Sequence, residues 1–239
     1  DDEDAVVSFV GGMDGLDGAT GLAFDPTGEY LFVAVYSTGR LTVLKRNAST
    51  GLLSFVETHS NATYPYLQGA ASIVVSSDST HVYVGAGIAD AVSIFSWDAG
   101  AESLTYVGGL KDGVGGITTL DSPTALALSP DNAQLYVTAR YDNCVSVFDR
   151  NPTTGLLTYV EHHTTAAGGP QLASPYGVAV NPAGTYLYTV AWDSNALSVF
   201  SRDPADGTLT WTQTFTTGTG GLTMSSPNTI AAGPQGSIF

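Results

Sequence analysis

A motif of about fifty residues recurs along the chain, and no other feature restricts the fold so tightly. The segments LAFDPTGEYLFVAVYSTGRLTVLKRNASTGLLSFVE, IVVSSDSTHVYVGAGIADAVSIFSWDAGAESLTYVG, LALSPDNAQLYVTARYDNCVSVFDRNPTTGLLTYVE and VAVNPAGTYLYTVAWDSNALSVFSRDPADGTLTWTQ superpose without a gap. With Phe24, Val75, Leu128, Val180 and Ala232 set as one position, the intervals are 51, 53, 52 and 52 residues, so length varies only in the loops between copies. Tandem units of this size stack so that each buries a face it could not bury alone.

The content of one unit predicts four antiparallel strands. The first, Leu22 to Phe24 and its equivalents, is apolar and ends at Pro26, Ser77, Pro130 or Pro182. The second carries an aromatic at one fixed place, Phe32, Tyr83, Tyr136 and Tyr188, among β-branched neighbours suited to a pleated surface. Thr38-Gly39, Ala89-Asp90, Asp142-Asn143 and Ser194-Asn195 are short turns that tolerate positive φ and close a hairpin into the third strand. A second hairpin, clearest at Asn151 to Gly155, leads to the fourth strand with Phe55, Tyr106, Tyr159 or Trp211. Only 12% of residues are charged and 28 are Gly, which suits strands and turns better than helices.

The expected fold is therefore all-β: a propeller of four-stranded antiparallel blades, four complete and a fifth split or incomplete. The blades are placed at about 20–60, 70–109, 123–163 and 175–217 of one domain over 1–239, the fifth from 5–10 plus 227–239. Strand a would be innermost and strand d the outer rim. The terminal fragments, with Val6, Val7, Phe9, Ile230, Ile238 and Phe239, are candidates for assembly with another copy.

The wording LYVTARYDNCVSVFDRNPTTGLLTYVE resembles the YVTN-type blades of the lactonase-like β-propellers, and the loops GGMDGLDGATG and KDGVGGITTLDSP resemble linkers of secreted bacterial or archaeal members. That resemblance implies the propeller architecture. It also implies lactonase activity, for which a seven-bladed enzyme would need about seven such repeats.

Charge and chemistry narrow the functions. Seven Lys plus Arg against 22 Asp plus Glu give a net charge of -15, which repels phosphate backbones and anionic membranes and excludes nucleic acid as a partner. No apolar run is long enough for membrane insertion. Cys144, whose repeat equivalents are Ala91 and Ala196, reads as a packed, inert thiol. The inner segments ATGLAF, AASIVV, TALALS, YGVAVN and NTIAAG contain no ionisable acid, base or imidazole, so a channel lined by Ala23, Val74, Ala127, Ala179 and Ala231 offers lactone opening neither base nor oxyanion partner.

The expectation on these grounds is a non-enzymatic extracellular or cell-surface module that binds copies of itself, other extracellular proteins or glycans. A lactonase-like hydrolase of a sugar or aromatic lactone and a glycan-binding propeller are the alternatives. No catalytic residue and no cofactor are assigned, apart from calcium at Asp14, Asp17 and Asp112 in glycine-rich loops. His59, His162 and His163 are expected on the solvated rim and His81 on the surface of strand b. Arg46, Arg150 and Arg202 recur at one position, which marks a scaffold role. The end of strand b varies instead, and Tyr36, Arg140, Tyr141, Trp192 and Asp193 are the binding-surface candidates. Asn47 and Asn61 stand in N-x-S/T sequons as glycosylation candidates.

Overall fold

The computed structural model describes residues 16–233. Sixteen strands form four antiparallel sheets, each made of four consecutive strands in sequence order. Blade 1 holds β1 (Ala19–Phe24), β2 (Tyr30–Val35), β3 (Arg40–Arg46) and β4 (Leu53–Ser60). Blade 2 holds β5 (Ala70–Val75), β6 (His81–Ala86), β7 (Ala91–Asp98) and β8 (Ser103–Lys111). Blade 3 holds β9 (Pro123–Leu128), β10 (Gln134–Ala139), β11 (Cys144–Arg150) and β12 (Leu157–Thr164). Blade 4 holds β13 (Pro175–Val180), β14 (Tyr186–Ala191), β15 (Ala196–Arg202) and β16 (Leu209–Thr216). The first strands pack in series, β1 on β5, β5 on β9 and β9 on β13, which makes them the inner wall. Among the described residues no helix is long and apolar enough to cross a membrane.

The chain reverses inside a blade at left-handed residues. Gly39, Asp90, Asn143 and Asn195 all take φ between 48° and 59° at the same place in the turn joining the second and third strands. The three Asx side chains also reach the next blade, accepting the backbone N–H of Ser122 at 3.1 Å, Ser174 at 2.8 Å and Ser226 at 2.7 Å. These three turns thus fix where the following inner segment begins.

The core lies between blades. The second-strand aromatics Phe32, Tyr83 and Tyr136 are fully buried, each facing the third-strand Phe95, Phe148 or Phe200 of the next blade. Burying such a ring is worth roughly 2–3 kcal/mol. The phenols of Tyr83 and Tyr136 are satisfied across the junction. Each donates to a glycine carbonyl, of Gly155 or Gly207, and accepts from Arg150 Nε at 2.8 Å or Arg202 Nε at 2.7 Å. Arg150 also donates to Asp78 and His81, and Arg202 to Asp131 and Gln134. His81 is therefore buried inside a junction, correcting the expectation of a surface position. His59 and His163 are likewise half-buried, pairing with Glu57 and Glu161 and packing on Phe95 and Phe200, because their strand edges face the next blade and not solvent.

The junction between blades 1 and 2 uses other chemistry. Trp97 stands where the arginines stand and packs edge-on against Phe32 and Tyr30. Glu102 replaces the turn glycine, taking φ 52° where Gly155 and Gly207 have 72° and 73°. Its carboxylate accepts from the Tyr30 hydroxyl at 2.9 Å and from Lys45 at 2.6 Å.

Two consequences can be measured. Replacing Arg150 by Met removes one buried hydrogen-bond donor from each of Tyr83, His81 and Asp78 and should lower the unfolding free energy by about 3 kcal/mol in a urea titration. Lys45→Met breaks an exposed pair and should leave the urea midpoint nearly unchanged. Asp78 and Asp131 lie below the usual carboxylate range: burial opposes this, but hydrogen bonds from Ser76, Thr80 and Ser129 and the arginine charges prevail. A carboxyl depressed in the fold stabilises above its unfolded pKa, and that stability is lost as pH falls through its folded pKa. The thermal midpoint of the native protein should therefore fall on acidification below pH 4 more steeply than that of Arg150→Met.

Candidate functional site

A concave cavity of about 770 Å³ opens over the inner strands at the end where the second strand turns into the third. Its wall is made by a local irregularity. In each inner strand one residue lacks a partner in the ladder: Thr20 between the pairs of Ala19 and Gly21, then Ala71, Thr124 and Tyr176 at the equivalent places. Such a bulge re-aims the side chain of the extra residue, and all four line the cavity. The hydroxyls of Thr20 and Thr124 tie each bulge to the next blade, donating to Ala71 O at 3.2 Å and Pro175 O at 2.7 Å.

Beside their inner-strand neighbours, the wall takes in the first residue after the second strand: Tyr36, Gly87, Arg140 and Trp192. Three of the five binding-surface candidates thus converge on one cavity. Tyr141 lies behind it, its ring 5.1 Å from the Arg140 guanidinium, and Asp193 accepts a short hydrogen bond from Ser174 Oγ just before β13. Tyr176, not singled out in the sequence, sits 5.4 Å from Arg140 and 5.6 Å from Trp192, so the two are joined through its ring. Its signal was the variation Thr20, Ala71, Thr124, Tyr176, Asn228 at one repeat position, hidden by screening the inner strands for charge alone.

Arg140 is the one charged side chain among the described residues that line the cavity. It makes no ion pair among them, and its buried Nε has no hydrogen-bond partner. A guanidinium without a carboxylate, held between two phenol rings, is poised for an anion or a developing oxyanion. The expectation that Ala23, Val74, Ala127, Ala179 and Ala231 line the channel is corrected, since none of the five lines the cavity. Ala23, Val74 and Ala127 pack with the inter-blade clusters, Ala179 is buried, and the bulged residue and the second-strand end face the cavity instead.

The other candidates are dispersed. Among the described residues no group of three or more His, Cys, Asp or Glu could hold a metal ion, and Asp112 instead accepts the Leu120 N–H at 3.1 Å. Asp17 contributes its backbone carbonyl to a short hydrogen bond from Ser37, while Asp14 lies outside the described residues. Asn47 is exposed, its side chain capping its own turn, and Asn61 is half-buried beside Gly39. Val6, Val7, Phe9, Ile238 and Phe239 lie outside the described residues. Ile230 packs on Gly177 as part of a further inner segment beside β13. Burial raises the Cys144 thiol pKa to about 12, consistent with an inert side chain.

Four carboxylates, Asp90, Asp112, Asp121 and Asp142, lie close enough together at the junction of blades 2 and 3 to repel one another. Burial and the charges of the other three raise the pKa of Asp121, and burial opposed by the Asp121 N–H raises that of Asp142. A carboxyl whose pKa rises on folding destabilises the fold as pH climbs above the unfolded value. Asp121→Asn should therefore raise the thermal midpoint by about 2 °C at pH 7, and scanning calorimetry at pH 4 should show a smaller gain.

Comparison with known proteins adds three findings. A family model described as lactonase, seven-bladed β-propeller, matches residues 22–162 and 110–224. The periplasmic gluconolactonase of Pseudomonas aeruginosa is similar in structure, with a TM-score of 0.74 and 24% identity over 92% of this chain and 62% of that one. Two proteins provisionally assigned as 6-phosphogluconolactonases, from Bacteroides uniformis and Bacteroides fragilis, each have a TM-score of 0.69 and 22% identity, over 83% and 88% of this chain. The chain spans 55% and 56% of the length of those two. No curated protein sequence gives a significant match. The family match overturns the expectation of a non-enzymatic structural module, which rested on screening the inner strands alone for reacting groups and so left Arg140, the residue after β10, as a binding-surface candidate.

Proposed function

Because the chain belongs to the lactonase family of seven-bladed β-propellers, we propose that its cavity hydrolyses a sugar-type lactone. Arg140 carries this reading: among the described residues it is a cation without a carboxylate partner, in a cavity otherwise lined by hydroxyls, rings, aliphatic groups and Asn228. Water adds to the lactone carbonyl carbon, and the carbonyl oxygen becomes an oxyanion that the guanidinium stabilises. Collapse of that adduct breaks the ring carbon–oxygen bond. The ring oxygen leaves as a hydroxyl, one proton passes to solvent, and the new carboxylate remains opposite Arg140. Trp192 and Tyr36, each about two-fifths exposed, offer faces to the sugar ring. The gluconolactonase and 6-phosphogluconolactonase names of the structural neighbours support a sugar lactone as the substrate class, and the periplasmic neighbour supports a secreted or periplasmic location.

Glucono-δ-lactone turnover followed by pH-stat tests this. Arg140→Met should lower kcat/KM by at least about 100-fold, with circular dichroism unchanged. Trp192→Ala should raise KM about tenfold with kcat preserved. Full turnover by Arg140→Met would overturn the reading.

A further inference from the structure

The repeat exposes a second site by what one blade lacks. In blade 1, Glu57 reaches across the junction and its Oε1 accepts the Leu104 N–H of blade 2 at 2.5 Å. In blade 3, Glu161 does the same for Leu209 of blade 4 at 2.7 Å. Both acceptors answer the same need. These leucines open the outer edge strands, where alternate N–H groups turn away from the sheet partner. At the junction of blades 2 and 3 the donor is Leu157, paired in register with Arg150 as Leu209 is with Arg202. The residue in the glutamate position is Gly108. Here a second cavity of about 390 Å³ opens, lined by Leu157, Thr158, Gly109, Lys111 and the rings of Tyr66 and Tyr159.

We propose that this cleft binds a small organic carboxylic acid, whose carboxylate takes the place of the missing glutamate. The carboxylate accepts the Leu157 N–H. Lys111, anchored to the Ala89 carbonyl, lines the same cleft and supplies the basic partner that His59 and His163 give the glutamates at the other two junctions. The body of the acid lies against Tyr66 and Tyr159, and the volume suits a metabolite better than a polypeptide. Gly109 keeps the floor flat, since a Cβ there would meet Tyr66 Cδ2 at 2.7 Å. The site is separate from the Arg140 cavity, with which it shares no lining residue.

The repeat supplies its own competitor. Gly108 has ordinary backbone dihedrals, and a Cβ on it would meet only Leu156 Cδ2, at 3.5 Å, so Gly108→Glu restores the glutamate without strain. Propionate, which reproduces that side chain from Cβ outward, is the probe. Binding is followed by NMR titration of the Leu157 amide in the Arg140→Met background, so that the central cavity does not contribute. The expected result is saturable binding that weakens at least tenfold in Gly108→Glu, together with a thermal midpoint raised by about 2–4 °C by the restored hydrogen bond. Propionamide should bind at least tenfold more weakly than propionate, and Lys111→Met should weaken propionate at least fivefold; these hold the test if Gly108→Glu fails to fold. No saturation by propionate, or equal affinity in Gly108→Glu or Lys111→Met, would overturn the proposal.

Discussion

The fold depends on a ring of one blade being closed over by the next. Phe32, Tyr83 and Tyr136 project from their second strands onto Phe95, Phe148 and Phe200, so each sheet finds its hydrophobic partner in its neighbour. A four-stranded blade alone could not bury both faces. For Tyr83 and Tyr136 the same insertion brings a hydroxyl into a dry junction, where it must be paired. The buried arginine answers that requirement and brings its own, met by Asp78 and Asp131 at the half-exposed edge. Burial holds the phenol pKa values near 12, so the junction is a neutral phenol bonded to a guanidinium.

The junction between blades 1 and 2 shows that this chemistry changes as a set. Phe32 has no hydroxyl to satisfy, and the arginine is replaced by Trp97, an apolar surface of similar reach. The turn glycine, no longer needed for its carbonyl, becomes Glu102, which serves Tyr30 and Lys45 at the exposed edge. Glu102 keeps the left-handed backbone that the turn demands, an uncommon cost for a non-glycine residue. A lone arginine opposite Phe32 would lack the tyrosine hydroxyl that the other junctions supply, whereas the joint change leaves only the Trp97 indole N–H without a partner.

Much of this was legible in the sequence. A fixed aromatic, alternating strands and turn residues at constant spacing specify blades, because each signal acts within one unit. The recurrence of Arg150 and Arg202 marked a scaffold role that their burial explains. What failed were inferences about direction across the junction. His81 and His163 look like surface residues in a single strand, and only the neighbouring blade buries or covers them. Lining of the cavity was misassigned for a related reason. Residue type does not tell which face of an apolar inner strand meets the next blade, as Ala23 and Ala127 do, and the bulges that re-aim Thr20 and Thr124 leave almost no trace in residue type either.

The division between constant and variable positions follows from which residues a neighbouring blade reads. Positions 32, 83 and 136, and the arginines that answer the two tyrosines, are constrained from both sides. The bulged residue and the one after the second strand are constrained from one side only, since their other side is the cavity. They can therefore become Thr, Ala or Tyr in one series and Tyr, Gly, Arg or Trp in the other at the cost of no more than the hydroxyl bond that Thr20 and Thr124 make to the next blade. A repeated scaffold can thus hold an asymmetric site. Arg140 stands once among four equivalent positions, and its partner Tyr176 stands once in the series beside it, so the cation and the ring that holds it occupy adjacent blades, with neither duplicated around the arc.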